Sequence, residues 1–239
     1  MIGFPVRAQN VPIPEIPALI IPAIGDTLIM VGITMIIVVL VGVPLGATLF
    51  NLAPGGLFPH RSSHVTLSWV VSIGRSLPFL VLMAAIIPFT RLITGTNIGI
   101  PAAVVPMSIA GIAFFTRIVE NSLRSVPVER SRVAIASGAS PLQTIWHAQL
   151  AEAVPSIVGG LTINTIAMIE YSAIAGTIGA GGIGYVAVTY GYQRFDNAVM
   201  VATIIVLVAL VALVQFAGDR AVRALTPSAR QSRRLTLAA

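Results

Sequence analysis

Residues 27–50 read TLIMVGITMIIVVLVGVPLGATLF, an unbroken stretch with no charged side chain. A helix needs about 20 apolar residues to cross a hydrocarbon core of about 30 Å, and backbone in lipid must satisfy its own hydrogen bonds. This stretch therefore predicts a membrane-crossing helix, placed at 24–50. The turn-forming NLAPGG at 51–56 follows it. Working along the chain, four further spans are expected. One covers 65–88 and is interrupted by Arg75, and one covers 99–119 between Arg91 and Arg117. A fourth runs from Pro155 to 176 and contains Glu170, and a fifth covers 197–217 and ends at Gly218-Asp219-Arg220. The expectation is an all-α integral membrane protein, with spans and connecting loops forming one domain over 23–219. A Pro-rich arm over 1–22, carrying Pro5, Pro12, Pro14, Pro17 and Pro22, is expected to be irregular and exposed, and a basic tail occupies 220–239.

Composition agrees. Of 239 residues 56% are hydrophobic and only 9% charged, and the mean hydropathy is +0.94, against about 25% charged in a soluble domain. The formal charge of +6 rests entirely on arginine, because the sequence has no lysine. These arginines flank apolar spans, as positive charge does on the cytoplasmic side of membrane proteins, so nucleic acid is not the expected partner. With the N-terminus outside, the inner side holds Arg61, Arg117, Arg124, Arg130, Arg132, Arg220, Arg223, Arg230, Arg233 and Arg234. The outer side holds Arg7, Arg91 and Arg194. That imbalance predicts an N-out, C-in, multi-pass protein of a bacterial cytoplasmic membrane.

The hydrophilic segment 120–153 is then cytoplasmic. Pro127 suits a helix start, Gly138 a left-handed stop, and Ser140-Pro141 a second start. Leu142, Ile145, Trp146, Gln149, Leu150 and Ala153 fall at helical spacing as one stripe. This segment is either a surface helix pair packed on the inner ends of the spans or a docking element for a partner.

Several chemistries are excluded or weakened. A phosphate-binding loop needs a lysine that reaches the terminal phosphates, so this chain cannot hydrolyse ATP by that route. Without cysteine there is no disulfide, thiolate metal site or thiol nucleophile. Intramembrane hydrolysis is the rival class, yet Asp26, Asp196 and Asp219 sit at span ends, and His147 lies on the polar face of a cytoplasmic helix. His60 and His64 form an H-x3-H pair in a short loop with no carboxylate nearby, so no metal and no cofactor is expected. The glycines of GTIGAGGIG at 176–184 are assigned to a tight extracytoplasmic turn. Arg75 and Glu170 remain. A charge within a span costs about 3 kcal/mol by insertion scales and faces the bundle interior or water, which makes this pair the translocation-path candidates.

GRSLPF at 74–79, IIPFTRLITGTNIG at 86–99, RIVENSL at 117–123, YSAIAGTIGAGGIG at 171–184 and VQFAGDRAVRA at 214–224 closely resemble the permeases of methionine ABC importers, in order from Asp26 to Arg223. The resemblance implies the type I ABC importer permease fold with five transmembrane helices, and a transport subunit rather than an enzyme. It also implies a second copy of the chain, two cytoplasmic ABC ATPase subunits and an extracytoplasmic substrate-binding lipoprotein as partners, in contact with membrane lipid. A permease for another small amino acid or organic solute is the alternative substrate reading. Such permeases carry a coupling loop of pattern E-A-A, three residues, G, nine residues, I-x-L-P. Here the glycine falls on Gly138 and the leucine on Leu150. The glutamate position is Arg132, the alanine positions are Val133 and Ala134, the isoleucine position is Ala148 and the proline position is Ala151. The implied ATPase-coupling residues are Glu129, Arg132, Val133, Ala134, Gly138, Ala139, Leu142 and Leu150.

Overall fold

A computed structural model of the chain describes residues 10–226. Pro5 and Arg7 of the arm, and Arg230, Arg233 and Arg234 of the tail, lie outside the described residues. A single 3₁₀ turn (Ile13–Glu15) leads into α1 (Ile16–Leu52), followed by α2 (Arg61–Ser76), α3 (Phe79–Ala85), α4 (Ile87–Thr94), α5 (Ile100–Arg124) and α6 (Val128–Ala136). A three-residue α7 (Pro141–Gln143) continues through a wide π segment (Thr144–Leu150) into α8 (Ala151–Ala175). Then come α9 (Gly182–Val186) and α10 (Asn197–Leu225). No strand occurs among the described residues. Four stretches are long and apolar enough to cross a membrane: Ile13–Leu52, Ile100–Arg124, Pro141–Ala180 and Asn197–Leu225. The α2–α3 pair supplies a fifth if it counts as one crossing.

Five expectations change in detail. The arm is not irregular throughout, because α1 begins at Ile16 and Pro17 suits a first helical turn, where its missing N–H is no loss. The second span is not one helix: α2 ends at Ser76 and α3 begins at Phe79. The break is local, since a residue before proline is driven out of the helical region, and Leu77 and Pro78 are both extended, at ψ 131° and 136°. Pro155 does not start the fourth span but sits inside α8, so the second helix of the 120–153 segment is continuous with that span. Gly218 does not end the last helix. A β-carbon there would collide with Thr162, which marks close helix packing within a helix that runs on to Leu225. Finally, the glycine stretch is more than a turn, as shown below.

The described residues divide into two compact units. Unit 1 takes those within Met1–Ile36, Pro78–Ile109 and Ala167–Ala212. Unit 2 takes those within Ile37–Leu77, Ala110–Ile166 and Leu213–Ala239.

In unit 1, Ile16, Ile20 and Ala23 of α1 form a buried cluster with Ile183 and Val186 of α9 and Val199 of α10. The chain reverses at Gly179, Gly181 and Gly182, all with positive φ, so that α9 folds back on the end of α8. Gly184 then lies against the backbone of Ala173, and Gly176 against that of Tyr185. Thr27 Oγ1 accepts the Ile183 N–H at 3.0 Å. Asp196 caps α10, accepting from the N–H groups of Ala198 and Val199, and its other oxygen accepts from the Val11 N–H at 2.7 Å. Burial alone would raise this carboxyl. The three backbone hydrogen bonds outweigh that and hold it below its ordinary value.

In unit 2, small residues let helices approach closely. A β-carbon on Gly46 of α1 would lie 2.6 Å from Val119 Cβ of α5, one on Gly42 would lie 3.0 Å from Phe115, and one on Gly74 of α2 would lie 2.9 Å from Ala113. Gly160 of α8 sits more tightly still, against the Ile118 side chain. The α5 helix is therefore the packing centre of this unit, with Phe115, Val119 and Leu123 fully buried.

Candidate functional site

The segment of unit 2 from α6 to the start of α8 is built by two local stop and start signals. Gly138, at φ +82°, ends α6 with its N–H bonded to Ile135 O and the Ala139 N–H bonded to Ala134 O, the paired pattern that closes a helix on a left-handed residue. Two residues later Ser140 starts the next helix with a complete capping box: Ser140 Oγ accepts from the Gln143 N–H, and Gln143 Oε1 from the Ser140 N–H. Pro141 occupies the first helical position. These are the features expected from the sequence, and they leave only Ser137-Gly138-Ala139-Ser140 between α6 and α7.

The segment is tied down by polar contacts. Asn51, at the end of α1, and Gln149 exchange two amide hydrogen bonds, of 2.8 and 3.1 Å, with both side chains buried. Gln149 also reaches Ser131 of α6 at 3.4 Å. An Arg130–Glu152 pair at 3.3 Å links α6 to α8. Gln149, the polar member of the expected stripe, is thus its main anchor. Leu150 and Ala153 are buried beside it, but Leu142 and Trp146 are 64% and 55% exposed, so two of the six stripe residues are not packed within the chain. On α6, Glu129, Arg132 and Val133 are exposed and Ala134 is half-buried. Among the described residues neither Glu129 nor Arg132 forms an ion pair, so Glu129 does not offset Arg132 through the i, i+3 spacing.

Sequence reasoning missed one of the two most buried charges among the described residues, Asp196 being the other. Glu120 is 1% exposed, and its two oxygens each lie 2.6 Å from a guanidinium, that of Arg117 and that of Arg124. Arg117 reaches further, to the hydroxyl and carbonyl of Ser68 and to Ser72 Oγ on α2. The signal was present as R-x-x-E-x-x-x-R at 117–124, the i, i+3 and i, i+4 spacing of one helix face. Hydropathy hides it, because the apolar run stops at 119 and the flanking arginines carry the orientation signal.

Arg75 and Glu170 fall in different units, Arg75 in unit 2 and Glu170 in unit 1. Both are exposed on this chain. The Arg75 guanidinium lies 5.7 Å from the centre of the Phe114 ring, a distance at which the ring face stabilises a cation. Glu170 adjoins Tyr171, which stacks on Phe79 with ring centroids 4.4 Å apart. His60 accepts the Ser63 N–H and caps α2, which gives it a structural task. Unit 1 also holds a mainly apolar cavity of about 260 Å³ among Leu80, Met83, Thr90, Asn97, Ala103 and Ile178.

Comparison with known proteins agrees with this architecture. Residues 42–231 match the family described as binding-protein-dependent transport system inner membrane component. Among curated relatives, the "Probable D-methionine transport system permease protein MetI" of Vibrio cholerae is 44% identical over 86% of this chain and 91% of its own length. The D-methionine transport system permease protein MetI of Escherichia coli strain K12 is 39% identical over 87% of this chain and 96% of its own. Among solved structures, an inward-facing conformation of the MetNI methionine ABC transporter superposes with a TM-score of 0.88 at 38% identity, covering 90% of this chain and all of the other. Membership over this length leaves the hydrolase reading without support. The chain belongs to the family of binding-protein-dependent transport system inner membrane components, and is a multi-pass transport subunit of that kind.

Proposed function

We propose that this chain is the permease subunit of an ATP-driven importer that carries methionine across the cytoplasmic membrane. Two copies form the path, each seated on one cytoplasmic ATPase chain, and a substrate-binding lipoprotein delivers the amino acid from outside. The observation that carries the substrate is the 44% identity, along nearly the whole length of both chains, to a permease named for D-methionine transport. The missing lysine supports a separate ATPase, because the chain has no residue to serve a phosphate-binding loop. Exposed charges support the paired path: Arg75 and Glu170 lie in or beside apolar helices, where facing lipid would be costly and facing a second copy or water would not. ATP-driven closure of the two ATPases would then rock the paired bundles and expose the path to each side in turn. The test is uptake of labelled methionine by cells lacking their own importer, supplied with this permease and its genomic partners. Uptake of another small amino acid but not methionine would keep the permease and discard the substrate.

Orientation follows the arginine excess, N-terminus outside and C-terminus inside. A reporter active only outside is expected to work when fused after residue 95 or 190 and to stay silent after 130 or 230. Activity after 130 would reverse the assignment.

Residues 128–151 are the contact through which the ATPase moves this subunit. A β-carbon on Gly138 meets nothing within 4 Å, so Gly138→Val strains only the backbone, by about 1–2 kcal/mol at its positive φ, and tilts α7 away from α6. The variant is expected to insert normally and to lose most co-purifying ATPase and most uptake. Retention of both would remove the coupling role from this segment. In the path, Arg75→Gln and Glu170→Gln are each expected to lower uptake by about tenfold, the loss of one charge-assisted contact of about 1.4 kcal/mol, with membrane insertion unchanged. Full uptake in both would exclude them from the path.

A further inference from the structure

Beside the coupling segment, unit 2 carries a cleft of about 420 Å³ bounded by the loop at Gly55–Leu57, the end of α5 and one side of α6. Two guanidinium side chains, Arg124 and Arg132, line it together with Ser131, Gln149, Val128 and Ile135, and no carboxylate is among its lining residues. Arg124 gives one N–H to Glu120 yet remains 52% exposed, so other donors of its five-donor fork stay free. Arg132 is exposed and, among the described residues, forms no ion pair. Two uncompensated or half-compensated cations facing one cleft repel each other and favour an anion between them. A guanidinium fork binds a carboxylate through two parallel N–H bonds. Val128 and Ile135, 47% and 52% exposed, add apolar surface at the same cleft. Arginine framed by apolar side chains is the composition of a protein contact that carries much binding energy.

We infer that this cleft receives an acidic side chain, an aspartate or glutamate, from the cytoplasmic ATPase subunit, with Arg132 as the specificity-determining residue of that contact. The inference rests on the reading of the chain as an ATPase-driven permease and adds the sign of charge that its partner must present. Gln149 lines the cleft and also holds Asn51 of α1, so a carboxylate seated there would pull on the polar link between α6 and the end of α1.

The experiment measures association of the detergent-solubilised full-length permease with the ATPase encoded beside it, at about 50 mM and about 0.5 M salt. Arg132→Gln is expected to weaken binding about fivefold at low salt and to flatten the salt dependence, and Arg132→Glu to weaken it about twentyfold or more. Arg132→Lys should recover part of the loss. A photo-crosslinker at position 132 should capture an ATPase segment containing an acidic residue, and reversing that residue to Arg should restore binding to Arg132→Glu. Unchanged or tighter binding by Arg132→Glu overturns the inference. So does normal ATPase binding accompanied by loss of co-purifying anionic lipid, which would assign the cleft to a headgroup. If the unaltered permease fails to bind the ATPase at either salt, the functional reading itself falls.

Discussion

Replacing Glu120 by Gln is expected to destabilise the chain by about 3–5 kcal/mol, the cost of removing one partner from a buried ion cluster. The carboxylate is almost fully enclosed and is shared between two guanidiniums at 2.6 Å. Arg117 is only 19% exposed and cannot turn to water, and its Nη2 is already committed to Ser68 and Ser72 of α2. Without the carboxylate it is left charged and poorly solvated at the junction of α2 and α5. Arg124 is half exposed, so Arg124→Gln should cost no more than about 1 kcal/mol, the usual range of a surface pair. The measurement is thermal unfolding in detergent, followed by near-ultraviolet circular dichroism and by retention of the monodisperse species. Equal, small losses for both variants would show that Glu120 is solvated in the membrane-embedded protein and that the cluster is ornamental to its stability.

Gly184→Ala is expected to destabilise unit 1 by a net of about 2 kcal/mol, against the direction that helix propensity predicts. Alanine is favoured over glycine within a helix by about 1 kcal/mol, and Gly184 lies inside α9 with no positive φ. The opposing effect is larger. The new β-carbon would be driven into the carbonyl oxygen, Cα and carbonyl carbon of Ala173. These are backbone atoms of α8 that cannot rotate aside, and overpacking of this kind costs about 3 kcal/mol. Gly32→Ala in α1 is the matched comparison, because a β-carbon there meets nothing within 4 Å, and it should be neutral or slightly stabilising. The check is the midpoint of thermal unfolding and the yield of folded protein from membranes for the two variants side by side. If Gly184→Ala behaves like Gly32→Ala, α9 is not seated on α8 in the membrane.

Much of the local structure was legible because its causes are local. Long uncharged runs demand helices in lipid, whatever the tertiary fold. Gly138 and Ser140-Pro141 announce their stop and start through φ preference and capping chemistry, which act within a few residues. The bend in the second span was equally local, carried by Leu77-Pro78, but hydropathy averages over a window and passes across a single broken hydrogen-bond turn. Apolar composition likewise could not tell Gly218 as a helix end from Gly218 as a contact, since both uses call for a missing side chain.

What only the tertiary structure decided depends on partners distant in sequence. Glu120 looked like a loop charge until Ser68 and Ser72 were seen to complete the shell around Arg117, 49 and 45 residues away. Gln149 looked like a polar flaw in an apolar stripe until its amide was found paired with Asn51, 98 residues away. GTIGAGGIG looked like a turn until α9 was found folded onto Ala173. The sequence by itself determined that this is a helical membrane protein without its own ATP-binding loop, because solvation of backbone and charge by lipid is set by composition and spacing. The tertiary structure decided which polar groups are buried together and which cations are left facing a cleft, because burial is a property of neighbours that no single segment contains.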